Sequence, residues 1–320
     1  MKFATIDNAG GSHLGVQKGS DEILDLVLLR GVVPRANLVP KSLRGLLEAG
    51  EDAIELVRRC IGDVDGLSTD GRERLVETGT LSPFDSTPLL AAIPDPKMIL
   101  SVGMNYGRHL AEMKGTPKPK HPTAFIKVAE SLTGSGKPIT VPPQCPDMID
   151  FEGEFCFVFG RLCHDVSADE AMDHVAGYTI ANDVSARDWV PEFFGADGKF
   201  DAIHAWERNI MGKQLPGFTP CGPVMTTVDE IADPHDLQVT TRLNGEVMQS
   251  TKTDDLIFKL PEMISYFSKW YCFRPGDIVT TGSPAGVGFG RDPKVFMKPG
   301  DVVEVEIEGV GTLSNPLVAG

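Results

Sequence analysis

The strongest constraint on how this chain folds is the run Phe155-Cys156-Phe157-Val158-Phe159, which ends at Gly160 and follows Glu152-Gly153-Glu154. Consecutive apolar β-formers leave no polar face, so the run predicts a short buried strand. Side chains on a strand alternate faces, so Glu152 and Glu154, spaced i and i+2, point the same way. Carboxylates that close raise each other's pKa and cost stability unless a cation lies between them. Gly153 has no side chain and lets another group approach the backbone between the two. The pair therefore admits two readings: half of an all-oxygen metal site, or a solvated strand end with two unrelated glutamates.

A chain of 320 residues suits one large domain, or one with a small addition. Its net charge of −15 argues against nucleic acid or an anionic membrane surface as a partner. An anionic substrate would then need local correction by a metal ion or by placed Lys and Arg. The six cysteines are scattered without a C-x-x-C pair and read as reduced thiols. No secretory leader and no apolar run of about 18 residues is apparent, so the expectation is a soluble cytoplasmic protein.

Residues 1–75 read as a small α+β unit, with a hairpin across Asn8-Ala9-Gly10-Gly11 and helical patches at Ser42 to Leu47 and Ala53 to Cys60. Residues 76–94 read as a linker, and 95–320 as the main domain. In the latter, Met98 to Val102 and Thr123 to Lys127 read as strands, and Arg108 to Met113 as a helix start. Ser167-Ala168-Asp169-Glu170 is a capping-box pattern that predicts a helix over Ala171 to Val175. Asn244-Gly245 predicts a type I′ hairpin, and Leu256 to Trp270 an amphipathic helix. Pro275-Gly276-Asp277 and Pro299-Gly300-Asp301 each suit a type II turn.

Asp183 ends the strand Tyr178 to Ala181, after an excursion that can return the chain beside Glu154. Glu152, Glu154 and Asp183 would supply three carboxylates to a hard cation, and open positions fit Mg²⁺ or Mn²⁺ better than a Ca²⁺ cage. Asp183 also reads as an ordinary turn residue. His109 and Glu112, at i and i+3 on a helix, can touch; a carboxylate beside a histidine supports a general base, although surface ion pairs share that spacing. Lys213, among glycines and prolines, reads by itself as solvated. Thr281-Gly282-Ser283-Pro284-Ala285-Gly286-Val287-Gly288 is a glycine-rich turn that can offer amides and a hydroxyl to an anion, but it is no P-loop.

Taken in order, Gly103-Met104-Asn105-Tyr106-x-x-His109-x-x-Glu112, Phe125-Ile126-Lys127, Glu152-Gly153-Glu154, Asn182-Asp183-Val184-Ser185-Ala186-Arg187-Asp188, Lys213 before Pro220-Cys221-Gly222-Pro223, and the 281–288 turn closely resemble the fumarylacetoacetate hydrolase family. The resemblance runs from about residue 95 to 318. It implies an α+β, mostly β fold, a mixed β-sandwich roll with a small N-terminal α+β domain, commonly as a homodimer. It also implies one Mg²⁺ or Mn²⁺ on Glu152, Glu154 and Asp183, and a water-activating dyad of His109 and Glu112. Lys213 would be catalytic on the substrate side, with Tyr106, Arg108, Lys127, Gly282 and Ser283 binding substrate.

Three departures stand out. Ser283 replaces a frequent Thr, and Pro216 stands where the family has Asp. Trp189-Val190 replaces the usual Gln, opening a long aromatic stretch to Met211 that reads as a mobile piece of pocket wall. The resulting expectation is a hydrolase that cleaves a carbon–carbon bond in a 1,3-dicarbonyl such as an acylpyruvate or β-diketone, in breakdown of aromatic or related compounds. The alternatives are an oxaloacetate-type β-keto acid decarboxylase, a keto–enol isomerase and a dienoate hydratase. A non-catalytic metal-binding homologue would be expected to have lost the dyad, which is intact. On this reading Glu152→Ala removes a ligand and leaves the fold largely whole.

Overall fold

A computed structural model describes residues 1–113 and 117–320. The chain is α+β and mostly β, a roll of mixed sheets. Among the described residues the main sheet has eleven strands. Its order runs Leu81–Pro83, Glu22–Asp25, Gly11–Lys18, Lys2–Asn8, Thr219–Thr227, Val175–Asn182, Gly153–Phe159, Ile278–Thr280, Ile99–Gly103, Thr123–Lys127, and Leu132–Thr133 pairs alongside Thr219–Thr227. A five-stranded sheet runs Glu246–Lys252, Gln238–Leu243, Val302–Ile307, Gly311–Ala319, Ile139–Val141.

Gly153–Phe159 is buried at every position because both of its faces are covered. Phe155, Phe157 and Phe159 share a core with Val239, Val305, Ile307 and Leu313 of the second sheet. Cys156 and Val158, on the opposite face, share a core with Leu43, Leu46, Val57 and Cys60. Those four lie on the helices Leu43–Ala49 and Glu51–Asp65. The N-terminal segment is thus one wall of the core, and its first strand joins the main sheet through Lys2↔Thr226 and Phe3↔Met225. Within 76–94, Leu81–Pro83 pairs with Glu22–Asp25, and Ala92 and Ile93 are buried.

Several local expectations hold. Asn244 and Gly245 have φ of 53° and 82°, as a type I′ turn requires. Gly276 and Gly300, at 86° and 96°, take the left-handed position of their turns. Others need correction. The helix expected over Leu256 to Trp270 spans only Leu260–Ser268. Upstream, Ile257 and Phe258 donate their amides to the Asn105 carbonyl and side chain, at 2.7 and 2.8 Å, which keeps that stretch extended. The helix expected over Ala171 to Val175 is a short 3₁₀ turn, Ala171–His174. Glu170 does accept from Ser167, but Val175 is claimed by its pairing with Phe159. The aromatic stretch is two helices, Val190–Phe194 and Lys199–Met211, with only the link between them non-helical.

Gly153 faces the second sheet, and a Cβ there would lie 2.2 Å from Thr241 Oγ1 and 2.9 Å from Val305 Cγ1. The group that approaches the backbone between the two glutamates is therefore the protein itself. Gly153→Ala is expected to destabilise the fold by about 1–3 kcal/mol, the usual cost of overpacking. Denaturant midpoints would read this, with partial rescue by Thr241→Ala; an unchanged midpoint would mean the sheets are not held at this spacing.

Candidate metal centre and active site

The main-sheet pairing assembles the carboxylates. Gly153 pairs with Asn182 and Glu154 with Ala181, which sets Asp183 across from Glu152. The register is locked at its open end: the Glu152 amide donates to Asn182 Oδ1 (2.9 Å) and the Asp183 amide to the Glu152 carbonyl (2.8 Å). Glu152, Glu154 and Asp183 are buried, with one ligand oxygen from each within 4.8 Å of the others. A two-stranded ladder, Ile149–Asp150 with Ser185–Ala186, then brings Arg187 back to the same place.

Three cations serve these acids. Lys213 Nζ donates to Glu152 Oε2 (2.7 Å), Asp183 Oδ2 (2.8 Å) and Ser185 Oγ (2.7 Å). Lys127 pairs with Asp183. Arg187 donates to Asp150 Oδ2 at 3.0 Å through Nε, and pairs with Glu152 through Nη2. Among the described residues, four buried carboxylates thus face three cations, and Glu154 is the one left over. Its Oε2 has no hydrogen-bond partner among the described residues. Burial, then the neighbouring Asp183 and Glu152 charges, push its pKa well above the usual carboxylate range. Burial opposes charge on Glu152 too, but Lys213 and Arg187 outweigh it and hold that acid well below its ordinary pKa. Burial also pulls Lys127 down despite Asp183, whereas at Lys213 the Asp183 and Glu152 charges overcome burial and raise it. An all-oxygen donor set with one unpartnered, uncompensated carboxylate oxygen fits a hard divalent cation.

His109 and Glu112 ride on the helix Gly107–Glu112. His109 Nδ1 is 3.5 Å from Glu112 Oε2, within ion-pair range but not aligned as a hydrogen bond. The same Oε2 accepts the Gly286 amide at 3.0 Å. Burial raises the Glu112 pKa, but contact with His109 and the Gly286 amide lowers it more. The glycine-rich turn also reaches the other side, donating the Gly288 and Phe289 amides to Asp150 at 2.7 and 3.1 Å. It therefore ties the His109 helix to the carboxylate cluster.

The remaining named residues fall in distinct places. Ser283 Oγ is buried and accepts from Gln249 Nε2 at 3.0 Å. Gly282 has φ of 94°, a left-handed conformation that favours glycine. Tyr106 is wholly buried in the core, its hydroxyl without a partner among the described residues. Arg108 is exposed, and its amide donates to Asp255 Oδ2 (3.0 Å). Lys213, which reads as solvated from its neighbours, is buried. Sequence reasoning gave no role to Asp150, Arg187 or Gln249. Arg187, close behind Asp183 on the returning strand, offered a local signal. Gln249 offered none: it accepts the Gly153 amide (3.0 Å) from 96 positions away.

Comparison with known proteins agrees with this architecture. The family model described as fumarylacetoacetate (FAA) hydrolase C-terminal matches residues 98–318. A mitochondrial oxaloacetate tautomerase of Bos taurus is 37% identical over 309 residues, covering 96% of this chain and 88% of the relative. An oxaloacetate tautomerase of Bacillus subtilis is 33% identical, covering 99% of this chain and 100% of the relative. Among solved structures, a fumarylacetoacetate hydrolase from Exiguobacterium antarcticum superposes with a TM-score of 0.74 at 30% identity, covering 100% of both chains. The matched span contains every residue of the carboxylate cluster, the dyad and the glycine-rich turn, and this chain belongs to the fumarylacetoacetate hydrolase family as one of its enzymes.

Proposed function

We propose that the protein is a metal-dependent keto–enol tautomerase acting on a β-keto acid of the oxaloacetate type. The observation that carries this reading is the near full-length similarity to oxaloacetate tautomerases of Bos taurus and Bacillus subtilis. It moves isomerisation ahead of the carbon–carbon hydrolysis expected from the motifs. Hydrolysis of an acylpyruvate stays as the second reading, favoured by the likeness to the Exiguobacterium enzyme. A cytoplasmic homodimer, with residues 95–320 as the catalytic unit, belongs to the same proposal.

Glu152, Glu154 and Asp183 would hold Mg²⁺ or Mn²⁺, which when bound supplies the Lewis-acid charge that favours an enolate. The chain's own residues do the rest. Four carboxylates against three cations leave one excess negative charge; a divalent ion turns that into one net positive, suited to an anionic keto acid. Lys213, kept protonated by Asp183 and Glu152, adds fixed positive charge beside the ligands. His109 carries the proton between carbon and oxygen. With Nδ1 turned to Glu112, its Nε2 is left to face substrate as base and then acid. Catalytic contacts of this kind commonly tighten when substrate binds, which suits the 3.5 Å gap. Burial of the cluster keeps water from competing for the enolate.

Three outcomes test the reading. With Mg²⁺ or Mn²⁺ the protein should speed loss of enol-oxaloacetate absorbance without releasing CO₂, and chelation should abolish this. Appearance of pyruvate and CO₂, or cleavage of acylpyruvates into two acids, would replace it.

A cleaner ligand test than Glu152→Ala now exists. Removing Glu152 takes a carboxylate partner from both Lys213, which keeps Asp183, and Arg187, which keeps Asp150, so a loss of stability accompanies the loss of the ligand. Glu154→Gln leaves no cation unpaired. It should abolish Mg²⁺ and Mn²⁺ binding by calorimetry, while the metal-free melting temperature stays level or rises. Undiminished affinity would remove Glu154 from the ligand set.

His109→Ala should lower turnover by about 10²–10⁴, the usual loss for a positioned acid–base. Metal affinity should change little, and Glu112→Gln should cost less. Full activity in His109→Ala would assign proton transfer to another group.

A further inference from the structure

The aromatic helical hairpin is rooted on the site at both ends. It leaves the chain after Arg187 and returns at Lys213, the two cations that hold Glu152. The Ala186 amide donates to the Gly212 carbonyl at 3.0 Å and closes the stem. Its helices pack through Phe193 and Trp206, whose ring centroids are 5.5 Å apart, and through a Glu192–Arg208 ion pair. At its tip Phe194 lies nearly parallel to Phe289, centroids 6.4 Å apart and planes at 11°. Phe289 belongs to the glycine-rich turn: its amide is held by Asp150, and Gly286, three residues before it, is bound to Glu112. The hairpin therefore spans from the cation side of the site to the dyad side. Phe194 leaves 68% of its surface uncovered, so the outer face of this ring is open to a ligand.

We infer that Phe194 and Phe289 wall a subsite for an apolar, preferably aryl, substituent on the carbon next to the substrate's keto group. The inference rests on the tautomerase reading and narrows its substrate class. An α-keto acid held at the carboxylate cluster by its carboxylate and keto oxygen would have its remaining substituent free to reach these rings, which the Phe289–Asp150 hydrogen bond and the Phe194–Phe289 contact tie to that cluster. Offset aromatic pairs gain stability beyond simple burial, and a third ring extends the existing stack. A distal carboxylate is the competing occupant, since Lys294 Nζ lies 3.3 Å from the Phe289 centroid.

The test compares enol-phenylpyruvate with enol-oxaloacetate on the full chain with Mg²⁺. Phe194→Ala should lower kcat/KM for phenylpyruvate about tenfold while leaving oxaloacetate within about twofold. Phe200→Ala, on the same hairpin and also exposed, should change neither. Equal losses on both acids, larger losses on oxaloacetate, or no loss would overturn the subsite. Dissociation constants for the two acids by calorimetry make the same comparison without turnover. If phenylpyruvate binding depends on Phe194 but neither enol is isomerised, the subsite stands and the tautomerase reading falls. If the Phe194→Ala protein binds both acids as the parent does, the subsite is overturned.

Discussion

Four carboxylates and three cations are buried together at the mouth of one strand, and much of the molecule serves to make that tolerable. Taking such charges out of water costs several kcal/mol each unless partners are placed to satisfy them. Lys127, Lys213 and Arg187 arrive from three separate stretches of chain, each delivered by a strand end or a helix end. The imbalance that remains is concentrated on Glu154, whose free oxygen marks where positive charge is still wanted. The charge balance of the fold and the candidate site thus rest on the same group of residues.

Holding those charges in place requires a rigid floor. The Gly153–Phe159 strand is sealed by the second sheet on one face and by N-terminal helices on the other. Each buried Phe contributes about 1.5–3 kcal/mol, and the three on this strand lie in one layer with the second sheet. That layer is close enough at Gly153 to exclude any side chain there. The N-terminal segment carries none of the site residues, yet its helices form the wall behind Cys156 and Val158.

The glycine-rich turn is the mechanical link of the site. Glu112 grips it at Gly286 and Asp150 at Gly288 and Phe289, so a shift of the turn reaches the dyad, the carboxylate cluster and the aromatic hairpin together. Its glycines are needed for close approach: a Cβ at Gly288 would sit 1.8 Å from the Val295 carbonyl oxygen.

Local features were legible in the sequence because local physics decides them. Alternation put Glu152 and Glu154 on one face, Asn244-Gly245 demanded its turn, and the length of the excursion to Asp183 allowed the return that closes the carboxylate cluster. The ordered motifs carried the family and hence the roll. What local rules could not supply was competition between distant segments. The amides of Ile257 and Phe258 are taken by Asn105, so a helix that periodicity favours starts late. Val175 pairs with Phe159, so a capping box yields only a turn. Lys213 looks solvated among its glycines and prolines until Glu152 and Asp183 are brought to it, and Gln249 has no signal at all until a second sheet is laid over Gly153. By itself the sequence determined which residues carry charge, turn the chain or fill a core. The tertiary structure alone decided which charges meet, because pairing energy depends on distances that close only when separate strands come into register.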